Sequence, residues 1–292
     1  MTYKTLEYSV QDGILILTLN RPEQMNSFTV EMANDLVAAF DRASEEDAVR
    51  AIVVTGAGKA FCAGMDLSKP GNVFGLDEQQ QPTMQDMHER LDDPAIHDGV
   101  RDTGGRVTLA IFACKKPVIA AINGAAVGIG ATMTLAMDVR LASEKARIGF
   151  VFGKIGIVPE ACSSWFLPRI VGISQALEWC YSGDILSAEE ARAGGLVKAV
   201  LPTDQLLPEA IKLAKKFVEN RSPVAVALAR QMLYRNSAQP HPIEAHRVDS
   251  LAVFYTSQKD GKEGVKSFLE KRAPGFTAQA SDMPAFYEDW AK

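Results

Sequence analysis

Histidine and cysteine are both scarce, with four of each among 292 residues. The cysteines, at 62, 114, 162 and 180, show no Cys-x-x-Cys spacing and fall far below the density of a disulfide scaffold, so reduced thiols are expected. Cations are outnumbered, 31 Lys plus Arg against 36 Asp plus Glu; the net charge of -5 leaves no broad positive field for a nucleic acid backbone. Long apolar runs are missing as well. Stretches 117–122 and 125–137 are broken by Gly, Asn or Thr and fall short of the roughly 20 apolar residues that span a bilayer. Residues 1–12 lack the basic start and apolar core of a secretory signal, which makes the cytoplasm the expected location.

Several chemical signatures are also absent: Gly-x-Ser-x-Gly, His-Glu-x-x-His, and a Gly-x-Gly-x-x-Gly fingerprint after a strand. Gly56-Ala-Gly-Lys59 has the ending of a phosphate loop, but Val53 stands where the first Gly belongs and Ala60 replaces the Ser or Thr. No metal-ligand set is evident. What the chain does have is a globular balance, 47% hydrophobic and 23% charged, in a length ample for one large core and an appendage.

Stretch 13–19 is β-rich and ends at Asn20-Arg21-Pro22. Met32, Leu36, Ala39, Phe40 and Ala43 then recur at helical spacing, and the apolar run 51–55 follows. The order strand, helix, strand returns over 117–148, with a helical stretch expected around 131–137. This reads as an α/β core over 1–200. From 201 to 292 the periodicity is helical only, in 204–220, 223–237, 242–257 and 261–271. Segment 68–104, rich in Pro, Gly, Gln and Asp, reads as a long insertion or loop in the core.

Two strand-to-helix transitions are dense in small residues: Thr55-Gly-Ala-Gly-Lys-Ala-Phe-Cys-Ala-Gly-Met-Asp-Leu67 and Ile122-Asn-Gly-Ala-Ala-Val-Gly-Ile-Gly-Ala-Thr132. Small residues let backbone approach a ligand closely, and N–H groups at such turns lack internal partners. Two of them converging would form an oxyanion hole. Taken singly, Gly124, Gly128 and Gly130 could equally serve close packing.

These segments resemble the crotonase superfamily of enoyl-CoA hydratases and isomerases. The matching pieces are Leu19-Asn-Arg-Pro22 with Asn26, the run 59–67, the run 116–124 with its Gly-rich continuation, Ala188-Glu-Glu-Ala191 with Gly195-Leu-Val197, and the run 263–271. The resemblance implies a spiral of ββα units, a helical C-terminal region used in trimer contacts, and a homotrimer or dimer of trimers. It implies an acyl-CoA thioester substrate and no separate cofactor, since coenzyme A is part of the substrate. It places the oxyanion donors at the N–H groups of Met65 and Ile129. Around the coenzyme it implies Met25, Ala63, Asp66, Leu67 and Ser68, with Phe254, Phe268 and Lys271 from the C-terminal region near the nucleotide. A helix core for the two Phe and a solvated Lys are the structural alternatives.

Family hydratases use two Glu residues, and the motif match puts Thr132 and Phe152 at those places. Neither can act as a base near neutral pH. Glu160, in Gly156-Ile-Val-Pro-Glu160, matches the single catalytic Glu of Δ3,Δ2-enoyl-CoA isomerases. Its position after Pro also suits the first turn of a helix. Apolar neighbours such as Ile157, Val158 and Trp165 would raise its pKa. The expected reaction is therefore a shift of a 3-enoyl-CoA double bond to 2-enoyl-CoA through a dienolate. An alternative is hydration of 2-enoyl-CoA with a second acid or base from the insertion, where Asp86, His88, Asp92, Asp93, His97, Asp98 and Asp102 crowd, although such loop residues are mostly solvated. A noncatalytic acyl-CoA-binding scaffold is a further alternative. Cys62, without a recognisable His partner, reads as packing, and His241 and His246 as surface residues of the appendage.

Overall fold

The computed structural model describes residues 2–68 and 71–291. Its strands are β1 Leu6–Gln11, β2 Ile14–Leu19, β3 Ala51–Gly56, β4 Ala60–Cys62, β5 Val118–Ile122, β6 Ala125–Val127, β7 Val139–Ser143, β8 Arg147–Gly149, β9 Ile185–Ser187 and β10 Ala199–Leu201. Six form one sheet in the order β1-β2-β3-β5-β7-β10, and four form a second in the order β4-β6-β8-β9. Pairings from β2 to β10 are parallel, with β1 antiparallel at the edge. In the smaller sheet β4, β6 and β8 run parallel and β9 closes it antiparallel. The pairs β3–β4, β5–β6 and β7–β8 thus each send one strand to the large sheet and the next to the small one, before the chain turns helical.

Both faces of the large sheet are covered, as a parallel sheet requires. Alternation along the strands sorts the side chains. Leu15, Leu17, Ile52, Val54, Val118 and Ala120 join the main core with Met32, Leu36 and Phe40 of the helix Val30–Glu45. Their neighbours Ile14, Ala51, Val53, Ile119 and Ala121 face the opposite side and pack under Leu206, Ala210 and Ala214 of the helix Thr203–Val218. The first of these helices starts where Thr29 accepts the Met32 N–H, an ordinary N-cap.

After β10 the described chain is helical: Thr203–Val218, Pro223–Asn236, Pro242–Gln258, Asp260–Leu269 and a short turn at Phe286–Trp290. Arg230 binds this part to the core. Buried itself, it pairs with Asp138 at 3.0 Å and donates to the carbonyls of Ile111, Phe112 and Cys114, at the C-terminal end of the helix Thr103–Ala113. Those carbonyls have no partner inside their own helix, so the guanidinium caps them, together with the Gln231 amide on Phe112 and Cys114.

Segment 68–104 holds more structure than its weak periodicity implies. Helices Met84–Glu89 and Pro94–Gly99 form within it, the first started by a capping box of Thr83 and Asp86, the second by Asp93 as N-cap ahead of Pro94. Local caps, rather than an apolar stripe, define both.

Candidate active site

β4 and β6 pair in parallel, Ala60 with Ala125 and Cys62 with Ala126, across a register shift, so the two Gly-rich turns leave the C-terminal ends of neighbouring strands on the same side. Their glycines allow the backbones to press together. A Cβ on Gly124 would fall 2.0 Å from the Lys59 carbonyl oxygen, and one on Gly130 would fall 2.0 Å from that of Cys62. Packing is therefore what these two glycines do, and it is packing that brings the turns face to face. Gly128 differs: nothing crowds it, but its φ of 54° and ψ of -123° suit glycine rather than an L side chain. It aims the next N–H, that of Ile129. Neither the Met65 nor the Ile129 N–H donates to another group among the described residues. Both residues line one cavity of about 620 Å³.

Glu160 lies in the wall of that cavity. It is not in the first turn of a helix: the helix Ser163–Val171 begins three residues later, after Ala161 and Cys162, which both hold left-handed backbone at φ 55° and 54°. Each such non-glycine residue costs on the order of 1 kcal/mol. The turn is held by the Ser163 N–H and hydroxyl, which both donate to the Glu160 carbonyl, and by the Ala161 N–H, which donates to Asp102 Oδ2 at 2.5 Å.

The Glu160 carboxyl is half-buried, with Oε1 2.6 Å from the Thr132 hydroxyl. That hydroxyl is also 3.2 Å from the Gly128 carbonyl. Its single proton can go to the carboxylate when Glu160 is ionised and to the carbonyl when it is not. Burial and, next, the negative charge of Asp102 push the Glu160 pKa up to about 8, against the opposing Thr132 hydrogen bond. Gly104 makes room for this carboxyl: a Cβ there would lie 2.2 Å from Glu160 Oε2 and 2.4 Å from Ile129 Cδ1.

Ala63, Met65, Leu67, Ile129 and Glu160 all line the cavity, as do Phe152, Ile157 and Val158. Trp165 does not; it packs edge-on against Phe112 under the Arg169 guanidinium, which corrects its expected place beside Glu160. Met25, Asp66 and Ser68 stand outside the lining. The Met25 carbonyl accepts the Ala63 N–H. Asp66 accepts from the Ser68 hydroxyl and N–H and from Arg21, which hold its carboxyl well below the usual range. Asn26 is fully buried and its side chain bonds the Arg21 N–H and the Ala57 and Ala60 carbonyls, knitting the first turn. Phe254, Phe268 and Lys271 do not reach the cavity. The two Phe are 58% and 82% exposed, so neither belongs to a core of the described chain.

Of the acidic and histidine cluster in the insertion, Asp102 alone lines the cavity. Asp86 caps a helix, Asp93 caps another and pairs with Arg90, His97 pairs with Asp98, and Arg101 faces Asp92. Phe74, Leu76 and Val100 of the same segment form part of the apolar wall, which no periodicity in the sequence reveals. Cys62 is buried, and burial pushes its thiol up to about 12, as befits a packing residue. A second cavity, of about 660 Å³ beside Trp165, Arg169 and Tyr234, contains none of these groups.

The sequence matches the family description enoyl-CoA hydratase/isomerase over residues 9–279. The chain belongs to the enoyl-CoA hydratase/isomerase family. An enoyl-CoA hydratase of Alternaria alternata is 40% identical over 91% of this chain and 83% of its own. A 1,2-epoxyphenylacetyl-CoA isomerase of Escherichia coli is 32% identical over 92% of this chain and 97% of its own. Among solved structures, a probable enoyl-CoA hydratase/isomerase from Mycobacterium abscessus superposes with a TM-score of 0.80 at 31% identity, covering 94% of this chain and 99% of that one. The fold is thus the crotonase-like α/β architecture, and the chain is an enzyme of that family.

Proposed function

We propose that this family member shifts the double bond of a 3-enoyl-CoA to the 2-position, with Glu160 as the proton carrier. The reading rests on one observation above all: the Glu160 carboxyl lines the same cavity as the Met65 and Ile129 N–H groups, which have no partner among the described residues; the family resemblance puts Thr132 and Phe152 where hydratases carry their glutamates. A thioester carbonyl set between the Met65 and Ile129 N–H groups gains most from them when negative charge develops on its oxygen. That makes C2 acidic. Glu160, ionised, takes the C2 proton; the dienolate rests on the two N–H groups; and the same carboxyl returns the proton at C4. The raised pKa strengthens the base and keeps it within reach of the working pH. Thr132 supports the charged form and releases it when the proton arrives.

The test is conversion of 3-enoyl-CoA thioesters by wild type and Glu160→Gln. Loss of at least a hundredfold in kcat supports the assignment, and equal rates remove Glu160 from the reaction. Hydration of 2-enoyl-CoA is the second reading, favoured by Asp102 beside Glu160, which supplies the second carboxylate that hydration needs. Oxygen-18 from water appearing at C3 of the product would select it.

The apolar exposure of Val253, Phe254, Val265, Phe268 and Leu269 on the C-terminal helices supports the trimeric assembly that the family resemblance implies. Light scattering at micromolar protein tests it.

A further inference from the structure

Asp102 is the N-cap of the helix Thr103–Ala113, and for that role one oxygen suffices: Oδ1 accepts the Gly104 N–H at 2.9 Å. The second oxygen does something a cap does not need. It reaches 59 residues along the chain to accept the Ala161 N–H, directly after Glu160. The turn it holds has two consecutive left-handed residues without glycine, Ala161 and Cys162, and so has reason to relax if released. We propose that Asp102 is a positioning residue for Glu160, clamping the 160–162 turn against the first turn of the helix Thr103–Ala113 so that the carboxyl faces the thioester site.

The clamp explains three neighbouring facts together. Gly104, one of its two donors, is also the residue whose missing side chain leaves space for Glu160 Oε2. The Asp102 charge lies against Glu160 and favours its protonated form. Asp102 itself stays exposed on the cavity side, so its charge acts at close range and is screened beyond. Other ionisable groups around Glu160 are Cys62, on the strand beneath it, and Cys162, on its own turn; burial raises both thiols, which leaves them uncharged while Glu160 titrates. Among the described residues lining the cavity, Asp102 and Glu160 are the ionisable ones.

This inference rests on Glu160 being the proton carrier, and its test reads Glu160 directly as well as through activity. Asp102→Ser keeps a good N-cap but removes the second arm and the charge; Asp102→Asn keeps the size and serves if the serine variant unfolds. The glutamate carboxyl carbons are labelled with carbon-13, the Glu160 signal is assigned by its loss in Glu160→Gln, and it is titrated in the full-length enzyme. The clamp predicts that the Glu160 midpoint moves to lower pH by about one unit or more when the like charge is removed. It also predicts a kcat for 3-enoyl-CoA at least tenfold below wild type on the pH plateau, with urea stability kept.

An unchanged midpoint together with an unchanged plateau kcat overturns the proposal and leaves Asp102 a helix cap only. If Glu160→Gln is as active as wild type, the reading of Glu160 falls, and the clamp falls with it as a device of catalysis. A fall in kcat at every pH with no movement of the midpoint overturns the electrostatic half and shows general loosening.

Discussion

Arg230 stands 3.0 Å from Asp138, with 4% and 20% of their side chains exposed, and the same guanidinium covers the carbonyl end of the helix Thr103–Ala113. The other end of that helix carries Asp102 and Gly104, both lining the cavity. A residue of the C-terminal helices therefore secures, through eleven residues of helix, the frame on which Glu160 is held.

Removing the cation takes from Asp138 its counter-ion, leaving it the Val118 N–H and the Tyr234 hydroxyl, and takes from the buried Ile111 carbonyl its side-chain donor, while Gln231 still serves Phe112 and Cys114. Arg230→Met is expected to lower unfolding free energy by about 3–5 kcal/mol, read from the urea midpoint and slope. A loss below about 1 kcal/mol would show that water or a neighbouring group replaces the guanidinium.

The stability of the enzyme should carry the mark of Glu160. Its pKa is about 8 when folded, above the ordinary carboxyl value it has when unfolded. Between those values the native state holds a proton that the unfolded chain has released, so stability declines as pH rises through that window. Glu160→Gln abolishes this slope, since an amide carries no proton to lose. At pH 8 the variant should melt above wild type, with the two converging near pH 4. Activity moves the other way, because the wild-type base is charged only as pH approaches and passes 8. Calorimetry and a kcat/KM profile on the same preparations separate the two trends.

Gly104→Ala places a methyl where Glu160 Oε2 and Ile129 Cδ1 now sit. In a helix that change ordinarily adds stability, by about 1 kcal/mol. Here kcat is expected to fall on the order of 10²-fold from displacement of the carboxyl. Urea stability near that of wild type, measured beside the rate, distinguishes displacement from unfolding.

Gly128→Ala tests the proposed oxyanion site without touching a reactive side chain. Space exists for the methyl, but the backbone angles of Gly128 do not suit alanine. Relaxation would turn the Ile129 N–H, and loss of one such donor costs on the order of 10²–10³ in rate. A variant with wild-type kcat would mean the N–H keeps its aim or is not used.

Much of the frame could be read from the chain because its signals are local. The β-rich run 13–19, the apolar run 51–55, the helical spacing of Met32, Leu36 and Phe40 and the small-residue density of the two turns each act within a few residues. Glu160 was legible as a candidate from its motif, and Thr132 and Phe152 as places where a base is missing. The partnership of Asp102 was not, because its two oxygens serve residues 2 and 59 positions away, and only the second contact distinguishes it from the capping aspartates around it. Trp165 was misplaced for a similar reason: proximity in sequence to Glu160 says nothing of which face of the helix Ser163–Val171 it occupies. Arg230 carried no signal at all, since a lone Arg on a helix is ordinarily a surface residue.

One consequence of the parallel pairing of β4 with β6 concerns how such a site can change. The spacing between the Met65 and Ile129 amides is gauged by a backbone ladder and by glycine contacts, not by any side chain that faces the acyl group. Phe74, Leu76 and Val100, which line the same cavity, come from a separate stretch of chain. Under the proposed reaction, acceptance of new acyl groups can thus drift by exchange of those wall residues while the two amides keep their spacing.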